Sequence, residues 1–184
     1  TYSLSGTDAS LLAISSSGVL SFVSAPDFET KSSYTATVSA TDGASPVTQD
    51  ITVTVTNVNE APVISSPETF NAPENQTSIG TVIASDVDGD SLTFSSSFDA
   101  EDIQINSTTG VLTFTTAPNY EPVGTIYGGS VFVSDGNHNT QQSIRISITD
   151  VNEAPSFSSS ATFSAAENQT SIGSVSVNDP EGAT

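Results

Sequence analysis

Apolar residues recur at every second position through much of the chain. Ile51, Val53 and Val55 alternate with Thr, Ile144, Ile146 and Ile148 with Arg or Ser, and Tyr34, Ala36, Val38 and Ala40 with Thr or Ser. A period of two sends apolar side chains to one face of a strand and hydroxyls to the other, so each stretch predicts an antiparallel strand buried on a single face. Asp42-Gly43, Asp88-Gly89, Thr109-Gly110 and Asp135-Gly136 interrupt the alternation with residues that favour tight turns. No window of helical length carries an apolar stripe at 3.6-residue spacing, which predicts essentially no helix.

The pattern is itself repeated. Val58-Asn59-Glu60-Ala61-Pro62 returns as Val151-Asn152-Glu153-Ala154-Pro155, and Glu74-Asn75-Gln76-Thr77-Ser78-Ile79-Gly80 returns as Glu167-Asn168-Gln169-Thr170-Ser171-Ile172-Gly173, both 93 residues later. Ser17-Gly18-Val19-Leu20-Ser21-Phe22 matches Thr109-Gly110-Val111-Leu112-Thr113-Phe114 at a spacing of 92. About seven strands in each repeat of this length predict an all-β fold of tandem Greek-key β-sandwiches. Pro ends a strand and stiffens the short link at each Asn-Glu-Ala-Pro segment, which places boundaries there. Residues 1–60 then read as the C-terminal part of one repeat, 61–153 as a complete repeat and 154–184 as the N-terminal part of a further one. The flanking pieces predict a window on a longer repeat chain. The alternative is a filament subunit whose last strands, with Val175 and Val177 inward, complete the sandwich of the next molecule.

Composition narrows the function. Hydrophobic residues make up 35% of the 184, and 58 are Ser or Thr, enough to cover one face of many strands. Only 12% are charged, which with the period of two argues against disorder. Two Lys+Arg against 21 Asp+Glu give a net charge of −19, which excludes nucleic acid and anionic membrane surfaces as partners. No apolar run approaches the roughly 18 residues that span a bilayer, so direct membrane insertion is not expected. Cys is absent, which removes disulfides, zinc-thiolate sites and thiol chemistry, and the single His, His138, leaves most acid–base mechanisms without their usual agent. No basic and apolar leader opens the chain at Thr1, so any secretion signal is expected outside this segment.

The acidic residues carry the remaining chemistry. Asp86-Val87-Asp88-Gly89-Asp90 sets carboxylates at alternate positions before a Gly turn, a way to gather oxygen ligands round a hard cation. Together with Glu74-Asn75 and Glu167-Asn168, Asp179-Pro180-Glu181, Asp27-Phe28-Glu29 and Asn119-Tyr120-Glu121, Ala40-Thr41-Asp42 and Val133-Ser134-Asp135, and the links Asn57-Val58-Asn59-Glu60-Ala61-Pro62 and Asp150-Val151-Asn152-Glu153-Ala154-Pro155, this order of motifs resembles the cadherin repeat of large bacterial surface proteins. The resemblance implies calcium bound between consecutive repeats. Carried over by position, it implies Asp27, Glu29, Asn57, Asn59, Glu60, Asp86, Asp88 and Asp135 at the first link, and Glu74, Asn119, Glu121, Asp150, Asn152, Glu153, Asp179 and Glu181 at the second. Asp42 would serve a preceding link and Glu167 a following one. Asn stands for the family's Asp at Asn57 and Asn119, and Glu for its Asp at Glu60 and Glu153, so the charge per link differs from the family pattern. These positions hold 14 of the 21 carboxylates. Two carboxylates about 4 Å apart repel by roughly 4 kcal/mol at an effective dielectric near 20, so such crowding calls for cations. Oxygen-only ligands in a crowded, flexible site favour calcium over zinc, copper or magnesium.

Other candidates read as structural. His138 falls in a hairpin loop with no nucleophile motif nearby. Asp99, Glu101 and Asp102, imaginable as a glycosidase pair, read as the exposed ends of a strand whose inward residues are Ile103 and Ile105. Lys31, a conceivable isopeptide donor, reads as solvated beside a turn. The sequons at Asn75, Asn106 and Asn168 are patterns that Ser/Thr-rich chains produce by chance. The expectation is a non-enzymatic, extracellular or cell-surface adhesion repeat, stiffened by calcium into a rod or filament, with neighbouring repeats of the same or identical chains as partners. A carbohydrate- or cell-binding module, with cell-surface polysaccharide as partner, is the alternative.

Overall fold

The structure, a computed structural model, describes residues 1–98, 102–123 and 126–182. Asp99 and Glu101 lie outside them. The chain divides into two compact units, Thr1–Glu60 with Val87–Gly89, and Ala61–Asp86 with Asp90–Thr184.

In unit 1 the alternating stretches form β1 (Tyr2–Ser5), β2 (Leu12–Ile14), β3 (Leu20–Phe22), β4 (Ser33–Ala40) and β5 (Val47–Thr54). One antiparallel sheet has the order β1-β4-β5, and β2 pairs with β3. Their apolar faces meet around buried Leu12, Tyr34 and Ala36, with Leu4, Phe22, Ile51 and Val53 packed against them. The Phe22 ring stands edge-on to Tyr34 at 5.0 Å between centroids, a favoured aromatic geometry.

Unit 2 contains β6 (Val63–Ile64), β7 (Thr69–Pro73), β8 (Ser78–Thr81), β9 (Ala84–Ser85), β10 (Thr93–Phe98), β11 (Ile103–Ile105), β12 (Val111–Phe114), β13 (Ile126–Ser134), β14 (Asn139–Thr149), β15 (Ser156–Phe157) and β16 (Val177–Asn178). A four-stranded sheet, β10-β13-β14-β7, packs on a three-stranded one, β11-β12-β8. Among the described residues all pairings of these two sheets are antiparallel except β7 with β14, which run parallel from Thr69↔Arg145 to Pro73↔Thr149. The core lies between the sheets: Leu112, Val131, Val133 and Ile146 are fully buried, and Ile144 and Ile148 nearly so. This is an all-β sandwich, and the order β10-β13-β14 restates β1-β4-β5 of unit 1.

Gly80 faces Leu112 across β8 and β12, and a Cβ there would sit 2.7 Å from Cδ1 of Phe70, so only Gly lets that ring lie flat on the strand. Gly173 makes the same contact with Phe163 at 2.8 Å. β15 pairs with β16 as β6 pairs with β9, each residue 93 positions on. Residues 156–157 and 177–178 thus keep the pairing of the strands they copy, whereas 162–166 and 171–174, in the places of β7 and β8, form no strand. Val175 and Val177, expected to face inward, are 64% and 53% exposed, because no described sheet covers them.

The expectation of essentially no helix needs one amendment. Residues Tyr120–Val123 form a single α turn, α1, and Ala9–Leu11 a 3₁₀ turn. The first N–H of α1, on Tyr120, donates to a Glu74 carboxylate oxygen at 2.7 Å, which supplies the cap that a four-residue turn cannot supply for itself.

Candidate metal centre

In unit 1, six of the residues expected at the first link come together at one end of the sandwich. Asp27 closes the turn before β4: its carboxylate accepts the Thr30 N–H at 3.1 Å and the Thr30 hydroxyl at 3.0 Å, and these bonds hold its pKa below the ordinary range. Two residues on, Glu29 presents a carboxylate oxygen to those of Glu60 and Asp88, and all three oxygens lie within 4.8 Å of one another. Calcium–oxygen bonds of about 2.3–2.6 Å put opposite ligands some 5 Å apart, so one ion would span this trio. Asp88 is fixed from two sides, accepting the Asn57 amide at 2.7 Å and the Glu60 N–H at 2.9 Å. Those bonds lower its pKa, led by the backbone bond from Glu60. Glu29 and Glu60 are pushed the other way by partial desolvation and then by the Asp88 charge. Asn59 donates its side-chain amide to the Glu60 carbonyl at 2.9 Å, which shapes the link.

Asp86 and Asp135, the other two expected residues, belong to unit 2. An Asp86 oxygen accepts the Asp90 N–H at 3.4 Å. Asp135 sits in the β13–β14 hairpin loop and accepts the N–H groups of Asn137 and His138 at 2.6 and 2.5 Å. His138 is therefore a loop residue bonded to its own turn, as expected.

Unit 2 repeats the design with more acid. Glu74, 2% exposed, is held by the Tyr120 N–H and by the Val151 N–H at 2.8 Å, so one carboxylate ties α1 to the strand end at 150. Around it stand Glu121 on α1 and Glu153, and oxygens of Glu74, Glu121 and Glu153 lie within 4.8 Å of one another, as do those of Glu121, Asp150 and Glu181. Asn119 caps Glu121 from its side-chain oxygen at 3.4 Å, and Asp179 accepts the Glu181 N–H at 3.1 Å. Two bonds of the link are copied: Glu153 N–H donates to Glu181 at 2.7 Å as Glu60 N–H donates to Asp88, and Asn152 turns to the Glu153 carbonyl at 3.1 Å as Asn59 turns to Glu60, whereas Asp150, in the place of Asn57, has no amide to donate. The looser motif Asp179-Pro180-Glu181 thus puts Glu181 where the first link uses Asp88.

Here the charges are unbalanced. The bond from the Glu153 N–H holds Glu181 down to about 2. Glu153 is raised, first by its side-chain contact with Glu181, with desolvation and the nearby Glu74 and Glu121 charges adding. Oε2 of Glu153 and Oε2 of Glu181 are both buried and accept no hydrogen bond. Buried acceptors are almost always satisfied, so these two carboxylate oxygens within one cluster call for a proton or a cation between them. All donors are oxygen, and the residues present fit calcium.

Sequence reasoning missed two features. Asn75 adopts a left-handed conformation, φ 61°, and its side-chain amide donates to Glu153; Asn is the residue most at ease there, but the signal becomes legible only once the turn is known. Asp8, only 5% exposed, pairs with Lys31, which corrects the reading of Lys31 as solvated.

Residues 59–149 match the family model described as bacterial Ig domain. The backbone is similar to mouse protocadherin-24 EC1-3, TM-score 0.67 at 21% identity over 98% of this chain and 66% of that one. It is similar to human protocadherin-24 EC1-2, TM-score 0.65 at 22% identity over 82% of each chain. It is also similar to the protocadherin gammaB7 EC3-6 cis-dimer structure, TM-score 0.65 at 22% identity over 98% of this chain and 50% of that one. At these identities the likeness is one of fold. A search of curated proteins finds no match.

Proposed function

We propose, from the premise that residues 59–149 form an immunoglobulin-like repeat of cadherin fold, that the chain is a non-catalytic, extracellular structural or adhesive element whose repeats are stiffened by calcium at their links. The observation that carries this reading is the pair of buried, unpartnered oxygens on Glu153 and Glu181 within the cluster of Glu74, Glu121, Asp150, Glu153 and Glu181. Calcium would supply positive charge and coordination to carboxylates that otherwise repel. Glu74 and Asn75 orient the second site, and Asn57 and the Glu60 N–H hold Asp88 for the first. The link segments 57–60 and 150–153 supply ligands at both sites, so bound calcium would remove conformational freedom from them. Extracellular calcium suits modules with ligand sets of this kind. Among the described residues no helix is long and apolar enough to cross a membrane. Neighbouring repeats, in the same or an identical chain, are the partners this arrangement serves.

Small-angle scattering of the chain with calcium and with chelator tests the proposal. Chelation should leave the β-sheet circular dichroism unchanged while altering the distance distribution. An identical distribution in both conditions would refute calcium stiffening.

A further inference from the structure

We propose that Asp8 and Lys31 are positioning residues for the unit 1 metal site, a partly buried pin that fixes the turn carrying Asp27 and Glu29. The inference rests on the calcium reading above. Asp8 lies between β1 and β2, is 5% exposed, and sits 23 positions before Lys31. One of its oxygens is 2.5 Å from the Lys31 Nζ and the other accepts the Thr35 N–H at 2.8 Å, while the Asp8 N–H donates to the Thr35 carbonyl at 3.1 Å. The carboxylate is therefore locked to the first residues of β4. Lys31 in turn closes the acidic turn, since its backbone N–H donates to the Asp27 carbonyl at 2.9 Å. Its ammonium lies 5.0 Å from the centre of the Tyr34 ring, a core residue of the unit. The turn that presents Glu29 to Glu60 and Asp88 is thus anchored, through one side chain, to Asp8, which is itself bonded to Thr35 of β4.

The pin has a second consequence. Lys31 is the only lysine of the chain and stands two residues from Glu29. Released from Asp8, its ammonium would be a ready internal counterion for the Glu29–Glu60–Asp88 trio and would compete with a metal. The Asp8 carboxylate is held by Lys31 and by Thr35, and it keeps the ammonium where it does not compete. Outer-sphere partners of this kind alter metal affinity by about 10–100-fold when removed.

The test is calcium titration by calorimetry of the full chain on a Glu153→Gln background, which weakens the unit 2 site so that the unit 1 site is read alone. Asp8→Asn, which still accepts the Thr35 N–H but frees the ammonium, should weaken calcium about tenfold or more. Lys31→Met, which keeps the stem on Tyr34 but loses the pin, should weaken it less, because no competing ammonium is released. Lys31→Arg should restore near-parent affinity, and Asp8→Asn with Lys31→Met should match Lys31→Met alone. In the parent chain none of these changes should alter calcium at the unit 2 site, an outcome that a general loss of folding would not give. Asp8→Asn and Lys31→Met binding like the parent would overturn the pin, whereas a wild-type chain that takes up no calcium would overturn the metal reading itself.

Discussion

Glu153→Gln should change stability with opposite signs in the absence and presence of calcium. In the metal-free protein Glu153 has a raised pKa, set first by its contact with Glu181 and then by desolvation and the neighbouring Glu74 and Glu121 charges. A carboxylate with a folded-state value above its unfolded one gives stability that is full at low pH and is lost as the pH rises through the folded value. At neutral pH the ionised Glu153 therefore weakens the metal-free fold. Gln removes the charge, keeps an oxygen for the Asn75 amide and offers an N–H to Glu181, so without calcium the variant should melt at or above wild type. Calcium reverses the order. At one hundred times its dissociation constant a ligand stabilises by about 2.7 kcal/mol. For a unit of about 120 residues, each kcal/mol moves Tm by about 3–5 °C, so wild-type unit 2 should gain about 8–13 °C. A site weakened tenfold keeps about half of that gain at the same calcium concentration. Differential scanning calorimetry in chelator and in calcium measures both signs at once. A variant that melts lower than wild type in chelator, with an undiminished calcium gain, would show that Glu153 packs rather than coordinates.

Asp88→Asn and Glu29→Gln should each weaken calcium at the unit 1 site about tenfold or more, while Asp50→Asn, which removes the same charge from β5, should leave it unchanged; equal losses in a titration of the three would dissolve the residue assignment. Calcium uptake at unit 2 should release protons in mildly acidic buffer and none at alkaline pH, because the raised Glu153 must ionise to bind while Glu181, down to about 2, already has; calorimetry in buffers of different ionisation enthalpy reads the proton count. Glu181 contributes stability above the ordinary glutamate range that is lost as pH falls towards 2, so the metal-free unit 2 should pass through a stability maximum in acid, where Glu181 is charged and Glu153 is not. Ile146→Ala, at a position with 0% exposure between the two sheets, should cost unit 2 about 2–5 kcal/mol in urea denaturation.

What was legible in the sequence was local or repeated. Strands β4, β5 and β14 follow the period of two at Tyr34, Ile51 and Ile146, and the Asp-Gly pairs turn where they were expected, because both signals are contained in a few adjacent residues. The acidic positions were legible through repetition: the equivalence of Glu181 with Asp88 rests on a 93-residue spacing that the Glu153 and Glu60 N–H bonds reproduce. What stayed hidden depends on contacts between distant segments. α1 is one turn long, too short to carry a period, and forms where Glu74, 46 residues earlier, caps it. Asp8 and Lys31 are each unremarkable in sequence, and only the packing of β4 against the loop after β1 makes them a pair.

The parallel course of β7 and β14 has a consequence for load. Past the short β6, the chain enters the four-stranded sheet of unit 2 at β7 and leaves that sheet after β14, and these strands lie side by side pointing the same way over five residue pairs, Thr69↔Arg145 to Pro73↔Thr149. Tension applied along the chain pulls the start of one strand and the end of the other in opposite directions. The hydrogen bonds between them are then sheared together instead of being opened one after another, as they would be in a hairpin pulled from its two ends. A module held in this way resists tension through the whole seam at once, with the fully buried Ile146 and Ala72 of these two strands lying beneath the bonds that must slide.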